Sequence, residues 1–461
     1  MALDADDTLR DMPALGDWLL SAPVPALEWH TGQSEQLRQW CEEGLNLLLA
    51  ALPPRSVWGD GERRLVRLFR EAVADARAAL VAVHGEGIYS LLTRDFSDSP
   101  RIDALVTLAA TQVPGLLPTP AQLSEDAALV LNDKLGHELS VGLVLAQWLA
   151  QPRVGRHLMA SMRLPLPEAH EILPAYQAGS ELELGLVRLQ RRGRQGYLSL
   201  CNPRYLNAED DDVVRAMELA IDVVLLDGGT ELGVLRGGIM LHQKYRGRRV
   251  FCSGVNLTKL YSGQLPFLFY IERELGLVSK LHRGLWGGGS PWADAPDLGL
   301  EKPWVAAVDG HAIGGGCQLL LVCDHVIAES SAFISLPARS EGFIPGVANL
   351  RLPQYVGRRL ANRLIYRNHK VAVDSIEGRL LVDEVVGAAD MDVAIDRIAA
   401  EIVDLGSRGI VSNRKAFRHA TEPLDQFRGY LATFCREQAR CMYGTEIIRN
   451  LEQFWTRRNR S

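Results

Sequence analysis

The first third of the chain places apolar residues at steps of three and four. That spacing predicts helices over residues 36–52, 61–83, 102–113 and 126–150. Proline and glycine clusters at Pro53-Pro54, Pro114-Gly115 and around Pro118 and Pro120 separate them. Residues 1–180 therefore read as an all-α N-terminal domain with no chemical motif of its own. Past Gly179 the period shortens towards two. Residues 184–190 and 196–201 read as strands around a glycine turn, and further short strands are expected at 223–226, 233–236, 249–252, 305–308 and 325–328. Between them, Val213, Val214, Met217, Ala220 and Ile221 make one apolar stripe behind an acidic helix start at Asp210-Asp211-Asp212. This alternation is α/β texture over residues 181–370, and residues 371–461 turn helical again, as a C-terminal oligomerisation region would.

Composition adds bounds. A chain of 461 residues allows about three structural units at ~150 residues each. Apolar content of 47% and charged content of 23% are ordinary for a globular protein. A net charge of −6 argues against a general nucleic-acid partner, though not against a local basic pocket. Seven cysteines at irregular spacing, with no C-x-x-C pair, fit a reducing compartment better than a disulfide framework. The acidic opening Met-Ala-Leu-Asp-Ala-Asp-Asp lacks a signal-peptide pattern, and no run of ~20 apolar residues suggests a membrane span. A cytoplasmic location with neither membrane nor nucleic-acid partner is expected.

The chemistry concentrates between Val305 and Asp324. A β-branched apolar run leads into Gly314-Gly315-Gly316, and an apolar helical segment follows. Glycines at a strand-to-helix junction let a ligand approach the backbone, and the free N–H groups of the following turn favour negative charge there. The arrangement reads as an oxyanion hole built from main chain, with Gln318 one turn further in. Upstream, the segment 242–249 offers four cations, Lys244, Arg246, Arg248 and Arg249, suited to phosphate groups.

Taken together, four stretches resemble the crotonase (enoyl-CoA hydratase/isomerase) superfamily: residues 185–208 with Asn202-Pro-Arg-Tyr-Leu-Asn207-Ala, Phe251-Cys-Ser-Gly-Val-Asn-Leu257, residues 308–318, and Leu336-Pro-Ala-Arg-Ser-Glu-Gly-Phe-Ile-Pro-Gly346. The resemblance covers about residues 182–440. It implies a crotonase-like ββα spiral core, a homotrimer or dimer of trimers, and a CoA thioester whose carbonyl lies between the N–H groups of Val255 and Gly315. By position it assigns CoA and substrate binding to His242, Gln243, Lys244, Tyr245, Ser253, Gly254, Asn256, Gly314 and Gly316, and brings Arg418 to a neighbouring subunit's CoA.

Hydratases of this family use two glutamates, which fall here at Gln318 and Ala338. Neither residue can exchange a proton near neutral pH, so water addition is not expected. The whole chain is similar to superfamily members that carry a long helical N-terminal extension and oxidise dihydroxyphenylacetyl-CoA with O₂ to the glyoxylate and free CoA. That likeness implies no metal, flavin or haem, with CoA entering as part of the substrate. It also implies ring-hydroxyl contacts from Glu209, Arg273 and Gln318, and an apolar oxygen space lined by Leu257, Ala338 and Phe343. The base that removes the α-proton stays open between Glu341, solvent and a substrate phenoxide.

Other readings compete. Thioester hydrolysis or double-bond isomerisation would use the same oxyanion hole without O₂. A metal-dependent oxygenase would draw on His84-Gly-Glu86 and a distant histidine. A non-catalytic scaffold would keep the fold alone.

Overall fold

In the computed structural model, residues 12–241, 243–292 and 299–456 are described. The chain divides into two compact units. One comprises Met1–Leu158, Leu260–Leu268 and Leu431–Ile448; the other comprises Met159–Lys259, Phe269–Tyr430 and Arg449–Ser461.

The first unit is helical, as its periodicity requires. The helices Thr31–Ala51, Asp60–Leu92 and Ile102–Gln112 match the expected segments, the second running nine residues past its expected end. Leu65, Phe69, Val73, Val81, Ile88 and Leu92 form its buried stripe. At its start the Glu62 carboxylate accepts the N–H of Gly59 at 2.7 Å, which satisfies one of the donors a helix terminus leaves open. The expected helix over 126–150 is two α-helices, Pro120–Ala127 and Glu138–Ala150, with a 3-10 turn at Leu131–Asp133 between them. Asp126 explains the break. Its carboxylate turns inward and accepts the N–H groups of Leu135, Gly136 and His137 at 2.8, 2.8 and 2.9 Å. A side chain that offers the backbone these bonds competes with continued helix. His84 and Glu86 serve structure here: His84 Nε2 bonds the Ala26 carbonyl at 2.8 Å, and Glu86 pairs with Arg153 at 2.8 Å.

Among its described residues, the second unit carries ten strands: β1 (Leu182–Leu184), β2 (Val187–Arg192), β3 (Gln195–Leu200), β4 (Leu232–Gly237), β5 (Trp304–Val308), β6 (His311–Ile313), β7 (His325–Glu329), β8 (Phe333–Ser335), β9 (Val371–Ala372) and β10 (Glu384–Val386). A seven-stranded sheet has the order β1-β2-β3-β4-β5-β7-β10, and a second sheet has the order β6-β8-β9. The opening β1-β2-β3 meander is antiparallel, and the larger sheet is parallel from β3 onwards. Tyr197, Val234, Val305 and Ile327 pack against Ile395 and Ile398 of the Met391–Asp404 helix.

Two expected strands take other forms. Residues 223–226 are the last turn of the Asp211–Leu226 helix. Asp210 caps that helix by accepting the Val213 N–H, and its apolar face continues unbroken through Val223 and Val224. A short β-branched run does not by itself separate strand from buried helix. Residues 249–252 make only single bridges, Ile239 to Arg249 and Cys252 to Ala312, outside any named strand. The Asn202–Ala208 turn is tied by its own asparagines. Asn207 accepts the N–H of Asn202 at 2.9 Å and donates to the Val250 carbonyl at 2.7 Å, with φ of 57° at Asn207.

Asp126→Ala would leave three buried N–H groups without their acceptor. At about 1 kcal/mol or more for each unsatisfied group, the variant should unfold several degrees below the parent in a thermal melt.

Candidate active site

Two chain segments of the second unit meet beside the glycine run. Cys252 and Ala312 are paired in parallel, with the Ile313 N–H bonded to the Cys252 carbonyl at 2.9 Å and the Cys252 N–H to the His311 carbonyl at 3.2 Å. Val255 and Gly315 each lie three residues beyond this pair, so the register carries both to the same end. Glycine makes the approach possible. A Cβ at Gly254 would lie 2.9 Å from the Ile313 carbonyl oxygen and 3.3 Å from the Gly315 nitrogen, and Gly254 and Gly314 adopt φ of 78° and 53°. Glu209 pairs with Val255 from the other side. Its N–H bonds the Gly254 carbonyl at 2.7 Å, and its carbonyl accepts the Asn256 N–H at 2.8 Å. That ladder skips the Val255 amide. Among the described residues, neither the Val255 nor the Gly315 N–H has a hydrogen-bond acceptor.

Arg273 organises the polar floor. Its Nε and Nη2 bond the two oxygens of Glu209 at 3.0 Å each, and Nη2 also bonds the Gly315 carbonyl at 2.9 Å. Its Nη1 bonds both Glu274 Oε1 and Gln318 Oε1 at 2.9 Å. Burial works against the guanidinium's charge, but the carboxylates of Glu209 and Glu274 outweigh it and raise its pKa. Burial pushes the Glu274 carboxyl above its ordinary range, opposed by Arg273 and Arg351. Arg273 opens a π-helical stretch, Arg273–Val278, whose wider winding turns two neighbouring charges into the protein together. The glycines match: a Cβ at Gly315 would lie 1.7 Å from Glu209 Oε2, and one at Gly346 would lie 2.4 Å from Glu274 Oε1 and 2.5 Å from Gln318 Oε1.

Other expected residues divide into two groups. Ser253 Oγ is 2.8 Å from His311 Nε2, and the Tyr245 ring stands edge-on to His311 at 5.6 Å, so the Gln243–Tyr245 turn reaches the glycine segments. Burial, with Lys370 and Lys244 adding to it, pushes His311 down to about 4, which keeps the imidazole neutral. His242 lies outside the described residues. Ala338 and Phe343 are both buried and joined by a turn in which the Phe343 N–H bonds the Ala338 carbonyl at 2.8 Å. Phe343 packs on Tyr270 at 5.7 Å, and Leu257 is half-buried at the start of its own short helix. Gly316 presses on Cys252, where a Cβ would come within 2.8 Å. Asn256 serves structure, donating to Asp210 and accepting the Lys259 N–H. Arg418 is buried and already held by both oxygens of Glu301 and the His282 carbonyl.

Two carboxyls stand out. Glu341 is half-buried one helical turn beyond Ala338, and burial alone pushes its carboxyl up to about 7. Glu274 was absent from the sequence-derived site. The signal for it was three consecutive charges, Glu272-Arg273-Glu274, inside an apolar run, a pattern that fits buried pairing better than solvation. Among the described residues, no group of three or more His, Cys, Asp or Glu side chains is placed to hold a metal ion, and no helix is long and apolar enough to cross a membrane.

Residues 293–433 match the enoyl-CoA hydratase/isomerase family model. The chain is 40% identical over 430 residues, 93% of its length and 98% of the relative's, to (3,5-dihydroxyphenyl)acetyl-CoA 1,2-dioxygenase of Amycolatopsis orientalis. It is 27% identical to a short-chain-enoyl-CoA hydratase of Clostridium acetobutylicum, across 52% of this chain and 84% of that one. A crystal structure of an enoyl-CoA hydratase from Mycobacterium avium subsp. paratuberculosis matches 60% of this chain and 97% of its own at 20% identity, with a TM-score of 0.48. With a 40% identical relative matched over nearly its whole length, the chain belongs to the enoyl-CoA hydratase/isomerase, or crotonase, family.

Proposed function

We propose that the protein is a cofactor-independent dioxygenase that converts (3,5-dihydroxyphenyl)acetyl-CoA and O₂ to (3,5-dihydroxyphenyl)glyoxylate and CoA, the activity for which its 40% identical relative is named. One observation carries the reading. Two unpaired main-chain donors stand ready for a thioester oxyanion, while Gln318 and Ala338 occupy the positions where hydratases of the family hold their glutamates.

The chemistry runs from there. Loss of one benzylic proton gives an enolate whose oxygen is held by the Val255 and Gly315 N–H groups, each donor contributing ~3–4 kcal/mol in such sites. The enolate passes electrons to O₂, and a C–O bond forms at the α-carbon. The distal peroxide oxygen attacks the thioester carbonyl and expels CoA thiolate. The resulting four-membered peroxide opens as the second α-proton leaves and the O–O bond breaks, giving the α-keto acid. Both oxygen atoms end in product and no external reductant is required. The reading takes no metal, flavin or haem. Ala338, Phe343 and Leu257 would line a dry space for O₂. Glu341, tuned near neutral pH, would be the proton acceptor. A trimer or dimer of trimers in antibiotic biosynthesis fits the same reading.

Metal-stripped protein given arylacetyl-CoA esters should release free thiol in step with O₂ uptake, and should release none under strict anaerobiosis. Thiol release without oxygen would mark a thioesterase instead. Ala338→Glu should lower O₂ uptake on the order of a hundredfold by displacing the gas from the reacting carbon, with ester binding retained by calorimetry.

Glu341 gives a pH test. Its folded pKa is raised from 4.5 to about 7, so its contribution to stability is complete below pH 4.5 and is lost as pH rises through 7. Glu341→Gln removes that loss. The variant's melting temperature should gain on the parent's by about 2–4 °C between pH 5 and pH 8, the full effect being reduced by partial exposure. The acidic limb of kcat/KM near pH 7 should disappear with it.

A further inference from the structure

A second polar pair stands apart from the Arg273 network. Ser253 lies two residues before Val255, and its Oγ is 2.8 Å from His311 Nε2. His311 is only 2% exposed, and its other ring nitrogen, Nδ1, is buried with no hydrogen-bond partner among the described residues. Phe333 stacks on the imidazole at 5.4 Å, and Tyr245 meets it edge-on at 5.6 Å, so the ring is held in one plane. It is neutral, because burial and the charges of Lys370 and Lys244 oppose its protonation. A neutral imidazole carries one N–H. A buried N–H without an acceptor is rarer in folded proteins than a buried lone pair without a donor. The proton therefore sits on Nε2 and is donated to Ser253 Oγ, which leaves Nδ1 as the unfilled lone pair. Ser253 is half-buried, and its own O–H, with no acceptor among the described residues, is left as a donor for a ligand.

We propose that His311 is a positioning residue that aims the Ser253 hydroxyl at the first amide carbonyl on the thiol arm of the substrate, the amide two carbons beyond the thioester sulfur. The assignment rests on the reading above in which Val255 and Gly315 hold a CoA thioester. Ser253 then meets the substrate directly, and His311 acts only through it. Charge and length both support the direction. Glu209, Arg273 and Gln318 gather beside Gly315. Ser253 and His311 instead lie with the Gln243–Tyr245 turn, where Lys244 Nζ stands 5.3 Å from the Tyr245 ring and Lys370 Nζ 4.9 Å from the Phe333 ring. Two ammonium groups on this side suit the arm that ends in phosphates, not the aryl arm. Residues two apart in a chain lie no more than about 7 Å from each other. That span matches the reach from a thioester oxygen across an S–CH2–CH2–NH link to the amide. An amide carbonyl only accepts, and the serine offers it one uncharged donor.

The test uses two arylacetyl thioesters that differ only in the thiol arm. The N-acetylcysteamine ester keeps the amide, and the S-pentyl ester replaces it with methylenes. Dissociation constants are measured by calorimetry under argon. Ser253→Ala should lower the preference for the amide ester by about threefold to tenfold, the size of one net hydrogen bond. His311→Phe keeps an aromatic ring against Phe333 but removes the donor, and should lower the preference as much. The double variant should lower it no further than either single change, because the two residues act as one. His311→Gln, whose amide N–H can replace the Nε2 donor, should keep most of it. An unchanged preference in Ser253→Ala would overturn the assignment. So would His311 variants that weaken both esters equally, as a purely structural histidine would. Ser253→Ala decides the matter if the His311 variants do not fold. Binding is read here without oxygen, so absence of O₂ uptake would defeat the dioxygenase reading alone, while a parent that bound neither ester would defeat both.

Discussion

The buried guanidinium of Arg273 is the constraint around which the site is built. Its five donors tie together three places in the chain: Glu209 just ahead of the Asp211–Leu226 helix, Glu274 in its own π-turn, and Gly315 and Gln318 of the Gly315–Leu320 helix. A charge so deeply buried is tolerable only with counter-charges and complete hydrogen bonding. Each partner is therefore held in one geometry, and the Val255 and Gly315 amides inherit it, since Glu209 bridges to Val255 and Gly315 is tied to Arg273. On the proposed reading, the two main-chain donors are preorganised for an oxyanion by side chains that need not touch it.

On the proposed reading, the family's pair of catalytic glutamates is replaced in two different ways. Gln318 keeps a polar group and joins the Arg273 network. Ala338 withdraws and leaves a buried apolar turn with Phe343. One change redirects hydrogen bonding and the other redirects polarity. Both would move the site, as proposed, from handling water towards handling an enolate.

The glycine run, the Asn202–Ala208 turn and the four-part resemblance were legible in the sequence because each depends on local backbone needs: positive φ, close approach, or an asparagine bonding its own turn. Features set by distant partners were not. Residues 223–226 have strand composition but continue the buried face of a helix capped thirteen residues earlier at Asp210. Asp126 breaks a periodic pattern because its acceptors serve amides nine to eleven residues on. Glu274 looks like a solvated charge until Arg273 and Gly346 are seen beside it. Periodicity reports which face is apolar, but not which buried charge has found a partner.

The π-turn at Arg273–Val278 also sets how this region can vary. Beyond it, Lys280 is fully buried between Glu218 and Asp222 at 2.8 and 2.7 Å. A single π-turn inside a helix takes up one extra residue while the turns on either side keep their facing. Loss of one residue from it would restore ordinary helix with Arg273 and Lys280 still directed at their carboxylates. This stretch can therefore change length by one residue without parting either set of ion pairs.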